Sequence, residues 1–456
     1  MIHQIHGMVW GPVMLAAMIA VGVLYSFHSG FFQFRKFGYW WKATVGSLNE
    51  PQTQKEKKKD RHSVTKIQAA CTALAATVGT GNIVGVATAL TAGGPGAIFW
   101  MWVSAGIGMM TAYAETSLGI RYRYKNAENH WICGPMVYLE RGLSMPGLGF
   151  LYSMFCILSS LGMGSMVQSN AIAETMNYSF GAAPVFVGAV LVVFVFLVIW
   201  GGISRIARVS ERLMPLSAGI YIVFSLTVIL SCYDRMIPVL LGIVKSAFTP
   251  DALLGGAGGY GISRSLRYGI ARGVFSNEAG LGSLAILHGA TEDTTPEEQG
   301  MWAMFEVFFD TVVICTLTAL VILCMTPEGL SNVRYDGAAL TTFCFERRLG
   351  EIGEYLVSCS MLVFAFATII AWYFLGRQAA VYALERLGQK IAFVKSHKGL
   401  LEKLYLLCYL NAVYIGCISS LKTVWELSDI WNGLMAVPNL IALLCLMKEV
   451  VYPKSP

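Results

Sequence analysis

Charge is what this chain has least of. Only 13% of its 456 residues are Asp, Glu, Lys or Arg, against roughly a quarter in an ordinary soluble domain. With 55% hydrophobic residues and a mean hydropathy of +0.59, a water-soluble globule is excluded and a polytopic membrane protein is implied. Catalytic signatures are missing as well. The sequence holds no HExxH, no CxxC, no GxxxxGK[ST] and no clustered Ser/His/Asp set, so neither metal hydrolysis nor nucleotide-driven transport is supported and no enzyme is expected. Its eleven cysteines make no disulfide framework. Cys71, Cys156, Cys315, Cys324, Cys359, Cys408, Cys417 and Cys445 fall inside apolar runs and read as small buried hydrophobes. The net charge of +6 does not point to nucleic acid, because basic residues in a membrane protein first report topology.

What is present is a series of apolar runs of about 20 residues, each long enough to cross ~30 Å of hydrocarbon. They occur at 10–32, 67–91, 95–120, 148–177, 184–203, 210–232, 268–290, 300–325, 352–376, 403–421 and 431–451, which predicts eleven spans in a single domain over 1–456. The first has no basic stretch before it, only His3 and His6, and is too long for a signal-peptide core, so it is read as a membrane helix. The segment 33–66 carries nine Lys or Arg, Lys57 to Lys59 among them. By the positive-inside rule it is cytoplasmic, with the N-terminus outside. Eleven crossings then put the C-terminus and Lys454 in the cytoplasm, and the segments placed inside hold 24 of the 33 basic residues. Residues 236–248, with Pro238 and Lys245 among apolar neighbours, are too short to span and read as an amphipathic helix on the outer surface. The charged run 54–61 reads as a solvated loop. The 21 Met and 11 Trp are counts that span packing and interface belts account for.

Two runs are interrupted by glycine. Thr77-Val78-Gly79-Thr80-Gly81-Asn82 lies in the middle of 67–91, and Gly273-Val274-Phe275-Ser276-Asn277-Glu278-Ala279-Gly280-Leu281-Gly282 lies inside 268–290. In hydrocarbon a broken helix is tolerated only where its freed backbone groups are buried in protein, or meet a ligand or water. Glycine-rich packing seams are the alternative reading. Setting the leading helix 10–32 aside, ten spans divide into five and five, 67–232 and 264–451, each half opening with a broken helix. The halves start on opposite sides of the membrane, which is the pattern of an inverted repeat with its site at the two breaks. Half-helix N-termini there offer N–H groups to a carboxylate, and unwound carbonyls offer oxygens to a cation.

Gly93-Gly94-Pro95-Gly96-Ala97-Ile98-Phe99-Trp100-Met101-Trp102-Val103-Ser104-Ala105 resembles the signature stretch of the alanine or glycine:cation symporters, the sodium:alanine symporter family. Thr77 to Asn82, Gly134-Pro135-Met136, Val167-Gln168-Ser169-Asn170 and Phe275 to Gly282 resemble it too, in the same order, so the likeness covers almost the whole chain. It implies an all-α LeuT-like bundle with one extra leading helix, in the cell (inner or plasma) membrane, importing small neutral amino acids such as alanine or glycine with sodium. Carried over by motif, Gly79, Thr80, Gly81, Asn82, Gln168, Phe275, Ser276, Thr368 and Trp372 would surround the substrate. Carbonyls of Ala75 and Val78 with the Thr368 hydroxyl would hold sodium. No protein partner is implied. Three departures stand out: Ala367-Thr368 replaces an expected Ser-Thr pair, Ser165 stands where an asparagine is expected, and Leu284-Ala285-Ile286-Leu287 replaces a smaller, proline-containing run.

Ionisable residues inside spans are expensive and face the bundle interior. Glu278, in the second break, either holds the unwound backbone by accepting N–H bonds or binds a cation or a proton. Glu306 and Asp310, at i and i+4, would share one helix face and either relay protons or bridge to a neighbouring helix or to Arg272. Glu115 and Glu174 fall near span ends and read as interfacial, and His288 reads as a hydrogen-bonded core histidine. Besides a sodium-coupled carrier, a proton-coupled carrier working through Glu278 and a channel remain open. Flux far above ~10³ per second, the usual upper range of turnover numbers, would favour the channel.

Overall fold

A computed structural model describes residues 2–49, 64–248, 258–330, 333 and 335–453. Lys57 to Lys59, the run 54–61 and Lys454 lie outside the described residues. Apart from an antiparallel two-residue ladder pairing Tyr124 with Ile132 and Lys125 with Trp131, the described chain is helical.

Eight of its helices are long and apolar enough to cross a membrane, or nine if one bent pair counts as a single span. The bent pair is α2 (Lys66–Thr77) with α3 (Gly81–Gly93), 45° apart; the long helices are α1 (Gly7–His28), α4 (Gly96–Tyr122), α5 (Pro146–Phe180), α7 (Gly202–Leu230), α11 (Pro296–Met325), α12 (Glu351–Gly388), α13 (Lys398–Ile418) and α14 (Val424–Cys445). The expected count of eleven is not reached, for two local reasons. Helix α6 (Pro184–Ile199) has only 16 residues and rises about 24 Å, short of the hydrocarbon thickness. Helix α9 (Gly258–Asn277), with α10 (Ser283–Gly289) across the second break, carries Arg264, Arg267 and Arg272. Residues 236–248 do form a helix, α8 (Tyr233–Phe248), which packs on α4 and α11.

Sequence signals set the helix ends that matter. Thr65 and Gln68 close a reciprocal capping box at the start of α2, and Thr295 with Glu298 does so ahead of Pro296 in α11, satisfying donors that a helix start leaves bare. Gly94, at φ 75°, ends α3. Three stretches wind as π-helix, namely Gly81–Gly85, Gly162–Val167 and Phe308–Cys315. Such wide turns insert a residue into the winding and recur at functional sites.

The core lies along α4, α9, α11 and the broken pair on one side and α5 with α12 on the other. Helix α6 instead exposes Val185, Phe186, Val193, Phe194 and Leu197, an apolar face suited to lipid. One expectation about charge changes here. Glu115 is fully buried rather than interfacial, because α4 runs on to Tyr122. Glu174 is half-buried.

Candidate functional site

The two breaks face each other. In the first, Val78 leaves the helical line at ψ 93°. The N–H of Gly79 donates to Asn82 Oδ1 at 2.9 Å, and that of Thr80 to Gln168 Oε1 at 3.2 Å. In the second, Glu278, Gly280 and Gly282 take φ of 59°, 97° and 79°, a left-handed path that suits glycine and strains a glutamate. A Cβ on Gly81 would stand 2.9 Å from Ser276 Cα. This glycine therefore lets the two breaks approach each other.

Asp310 joins the breaks. Asn82 Nδ2 donates to its Oδ1 at 2.6 Å and to its carbonyl at 3.2 Å, and Ser276 Oγ donates to the same Oδ1 at 3.0 Å. Thr311 Oγ1 donates to Oδ2 at 2.8 Å and itself accepts from Asn277 Nδ2 at 3.0 Å. Cys315 Sγ lies 3.3 Å from Asn82 Nδ2. All six side chains are buried. Of the expected bridges, Glu306 makes one to a neighbouring helix, whereas neither it nor Asp310 reaches Arg272. Glu306 bonds His288, while Arg272 bridges Asp429 at 3.0 Å and covers the Trp425 ring at 4.7 Å.

Beside the first break, Thr368 Oγ1 donates to the Ala75 carbonyl at 2.8 Å and to that of Phe364 at 3.1 Å. A Cβ on Gly79 would fall 2.5 Å from that hydroxyl. Ala75, Thr368 and the Gly79 turn are thus brought together. Val78 is buried next to them, with its N–H on Leu74 O. Gln168 also donates to Met163 O at 3.2 Å, across the π-turn.

The second break is held by side chains from three other helices. Glu278 accepts from Ser283 Oγ at 2.5 Å and from Trp372 Nε1 at 2.9 Å. It clasps side-chain donors here, where backbone N–H partners were expected. Tyr152 donates to Leu281 O at 3.0 Å, and Asn439 Nδ2 to Gly280 O at 3.0 Å and Glu115 Oε1 at 2.6 Å. Trp372 rests against Gly164, so it fills the space between α5 and Glu278. Phe275 turns toward Trp425, its ring stacked at 4.7 Å.

Sequence reasoning missed Asp310 as a site residue, along with Thr311, Cys315, Glu115 and the Arg272–Asp429 bridge. An isolated carboxylate followed by threonine in the apolar run of α11 was the available signal for the first two. None of the ion pairs among the described residues includes Glu115, Glu278 or Asp310. Three buried carboxyl groups thus gather at the breaks with hydroxyl, amide and carbonyl oxygens around them.

Two facing helix breaks inside an apolar bundle are the architecture of a membrane transporter. The sodium:alanine symporter family profile matches residues 1–454, and the chain belongs to that family. It is 36% identical to the sodium/alanine symporter AgcS of Methanococcus maripaludis, over 99% of this chain and 95% of that one. It is 39% identical to an uncharacterized transporter of Haemophilus influenzae, over 99% and 94%. A probable sodium/glutamine symporter of Bacillus subtilis is 34% identical over 97% and 87%. Among solved structures, MhsT in complex with L-phenylalanine superposes with a TM-score of 0.50 at 14% identity, covering 86% of this chain and all of that one. The likeness shows a shared LeuT-type fold.

Proposed function

We propose that the protein imports a small neutral amino acid, alanine or glycine, together with sodium, by alternating access around the two breaks. The observation that carries this reading is the convergence of Thr368 Oγ1 on Ala75 O at 2.8 Å across two helices, at the edge of the first break. A hydroxyl and helix-end carbonyls of Ala75 and Val78 are hard oxygen donors, the kind that unwound segments offer a sodium ion. Bound there, sodium would place its charge next to Gly79, Thr80 and Gly81. Those residues, with Asn82, Gln168, Phe275, Ser276 and Trp372, line the substrate's place in this reading, the amide N–H groups meeting its carboxylate.

The names of two relatives, a sodium/alanine and a probable sodium/glutamine symporter, support this substrate and ion class. The two halves, 67–232 and 264–451, act as an inverted pair, with the N-terminus outside and the C-terminus in the cytoplasm. Sodium-gradient-driven uptake of a panel of labelled amino acids into proteoliposomes tests the reading. It expects alanine or glycine to accumulate only with inward sodium. Full uptake on a proton gradient alone would replace it with proton coupling through Glu278, and flux without accumulation would replace it with a channel.

A further inference from the structure

The half-helix α10 that follows the second break ends in a fully buried histidine between two oxygens. His288 Nδ1 lies 2.6 Å from Gln299 Oε1, and Nε2 lies 3.0 Å from Glu306 Oε2. The neighbouring hydrogen bonds decide which way each group points. Glu298 is a carboxylate bridged to Lys66 at 2.9 Å and accepts the Thr294 hydroxyl proton at 3.2 Å. With its only proton spent there, Thr294 Oγ1 must accept from Gln299 Nε2, 3.0 Å away. That fixes the amide, so Gln299 Oε1 faces His288 and Nδ1 carries a hydrogen. Between Nε2 and Glu306 one proton remains to be placed. Either both ring nitrogens are protonated opposite a carboxylate, or Glu306 is a carboxylic acid donating to Nε2. Both arrangements hold the same number of protons, one more than a neutral histidine beside an ionised glutamate.

We propose that His288 and Glu306 form a proton-binding site that clamps α10 to α11 and makes the position of this half-helix depend on pH. Without the shared proton, an anionic oxygen would face an imidazole lone pair in a buried site, and Glu306 Oε1 already makes no hydrogen bond to the protein. A buried carboxylate in that position is strongly unfavourable. The Glu306 half of the attachment is lost with the proton while the Nδ1–H bond to Gln299 remains, so the proton-loaded form is the more tightly clamped one. Other titratable groups facing these helices are spoken for. Cys71 is buried on α2, Arg123 donates to the carbonyls of Gly289 and Thr291, Glu278 is held by Ser283 and Trp372, and Tyr113 packs against Gly300 and donates to Val451 O. Cys133 lies beneath Gly289, where an added Cβ would overlap its sulfur, and its thiol donates to Ile286 O at 3.3 Å. Cys133 is thus a built-in reporter of α10.

The experiment follows maleimide labelling of Cys133 as the only cysteine of the full-length, detergent-solubilised protein, from acidic to alkaline pH, with and without Glu306→Gln. The glutamine keeps the shape and offers an amide N–H to neutral His288, so it needs no extra proton. Dividing the two rates removes the thiol's own titration. We expect the ratio to be flat at acidic pH and then to rise about tenfold per pH unit, the limiting slope for one proton. A flat ratio throughout overturns the proposal. A second measurement needs no folded Glu306 variant: ¹⁵N NMR of histidine-labelled wild type, assigned with His288→Gln, joined to infrared detection of carboxylic acid. Either two protonated ring nitrogens or one with a protonated Glu306 is expected. A singly protonated ring beside an ionised Glu306 at acidic pH sinks the idea.

Discussion

Thr368 donates to the carbonyl of Ala75, 293 positions earlier in the chain, at 2.8 Å. Helix α12 is thereby tied to the last turn of α2 just before that helix breaks. Replacing the hydroxyl by a methyl removes an oxygen at nearly constant volume. Thr368→Val should raise the sodium concentration for half-maximal uptake roughly tenfold and weaken alanine binding at fixed sodium, since coupled ligands act reciprocally. Sodium titrations of uptake check both, and superimposable curves would remove Thr368 from the ion site.

Ala367, the preceding residue and fully buried, stands where a second hydroxyl is expected. Ala367→Ser should shift the sodium titration the other way, to lower concentration. The two variants together distinguish an ion site from general loss of packing, because packing damage moves both in one direction.

Gly81→Val should abolish uptake. The new side chain meets Ser276 Cα at 2.9 Å and Ser276 Cβ at 3.1 Å, so the breaks must separate. Alanine uptake with unchanged affinity by a variant that still folds in detergent, as judged by its melting temperature, would place the substrate elsewhere.

Asp310→Asn tests the bridge between the breaks. Its carboxylate accepts from Asn82, Ser276 and Thr311, and an amide presents one oxygen and two N–H groups to those same donors. An unmet buried donor costs about 1–3 kcal/mol. If that cost falls on the transport cycle, uptake should fall by about five- to a hundredfold, and proteoliposome assays at saturating sodium measure it.

Trp372→Phe removes the indole N–H that Glu278 accepts at 2.9 Å. The smaller ring also leaves space against Gly164, so the loss should be about 2–4 kcal/mol of stability, a lost hydrogen bond together with a partly emptied packing site. A chemical denaturation midpoint unchanged from wild type would show that Glu278 finds another donor.

The breaks were legible from sequence because two glycine clusters, each with polar residues beside them, open the two five-helix halves at corresponding positions, which packing seams alone do not require. Asn82 and Ser276 meet on Asp310, Thr80 meets Gln168 through its N–H, and Thr368 reaches Ala75 beside the first break. The Glu306–Asp310 spacing misled. A regular helix puts i and i+4 on one face, but π winding begins at Phe308 and turns Asp310 toward Asn82 while Glu306 meets His288. The partners of Glu115 and Arg272, Asn439 and Asp429, lie 324 and 157 positions away. No local pattern announces such contacts. Helix α6 was overextended because hydropathy continues into Trp200, where the backbone already turns.

The amide oxygens of Asn82 and Gln168 sit on the N–H groups of Gly79 and Thr80, the donors that the proposed binding mode gives to the substrate carboxylate. The chain carries its own tethered understudy for the amino acid, always at hand at high effective concentration. In that binding mode each arriving substrate would evict it, and each departing one would be replaced at once. Tightness of grip is thereby exchanged for ease of release. That suits a carrier whose work is to let go on the far side of the membrane.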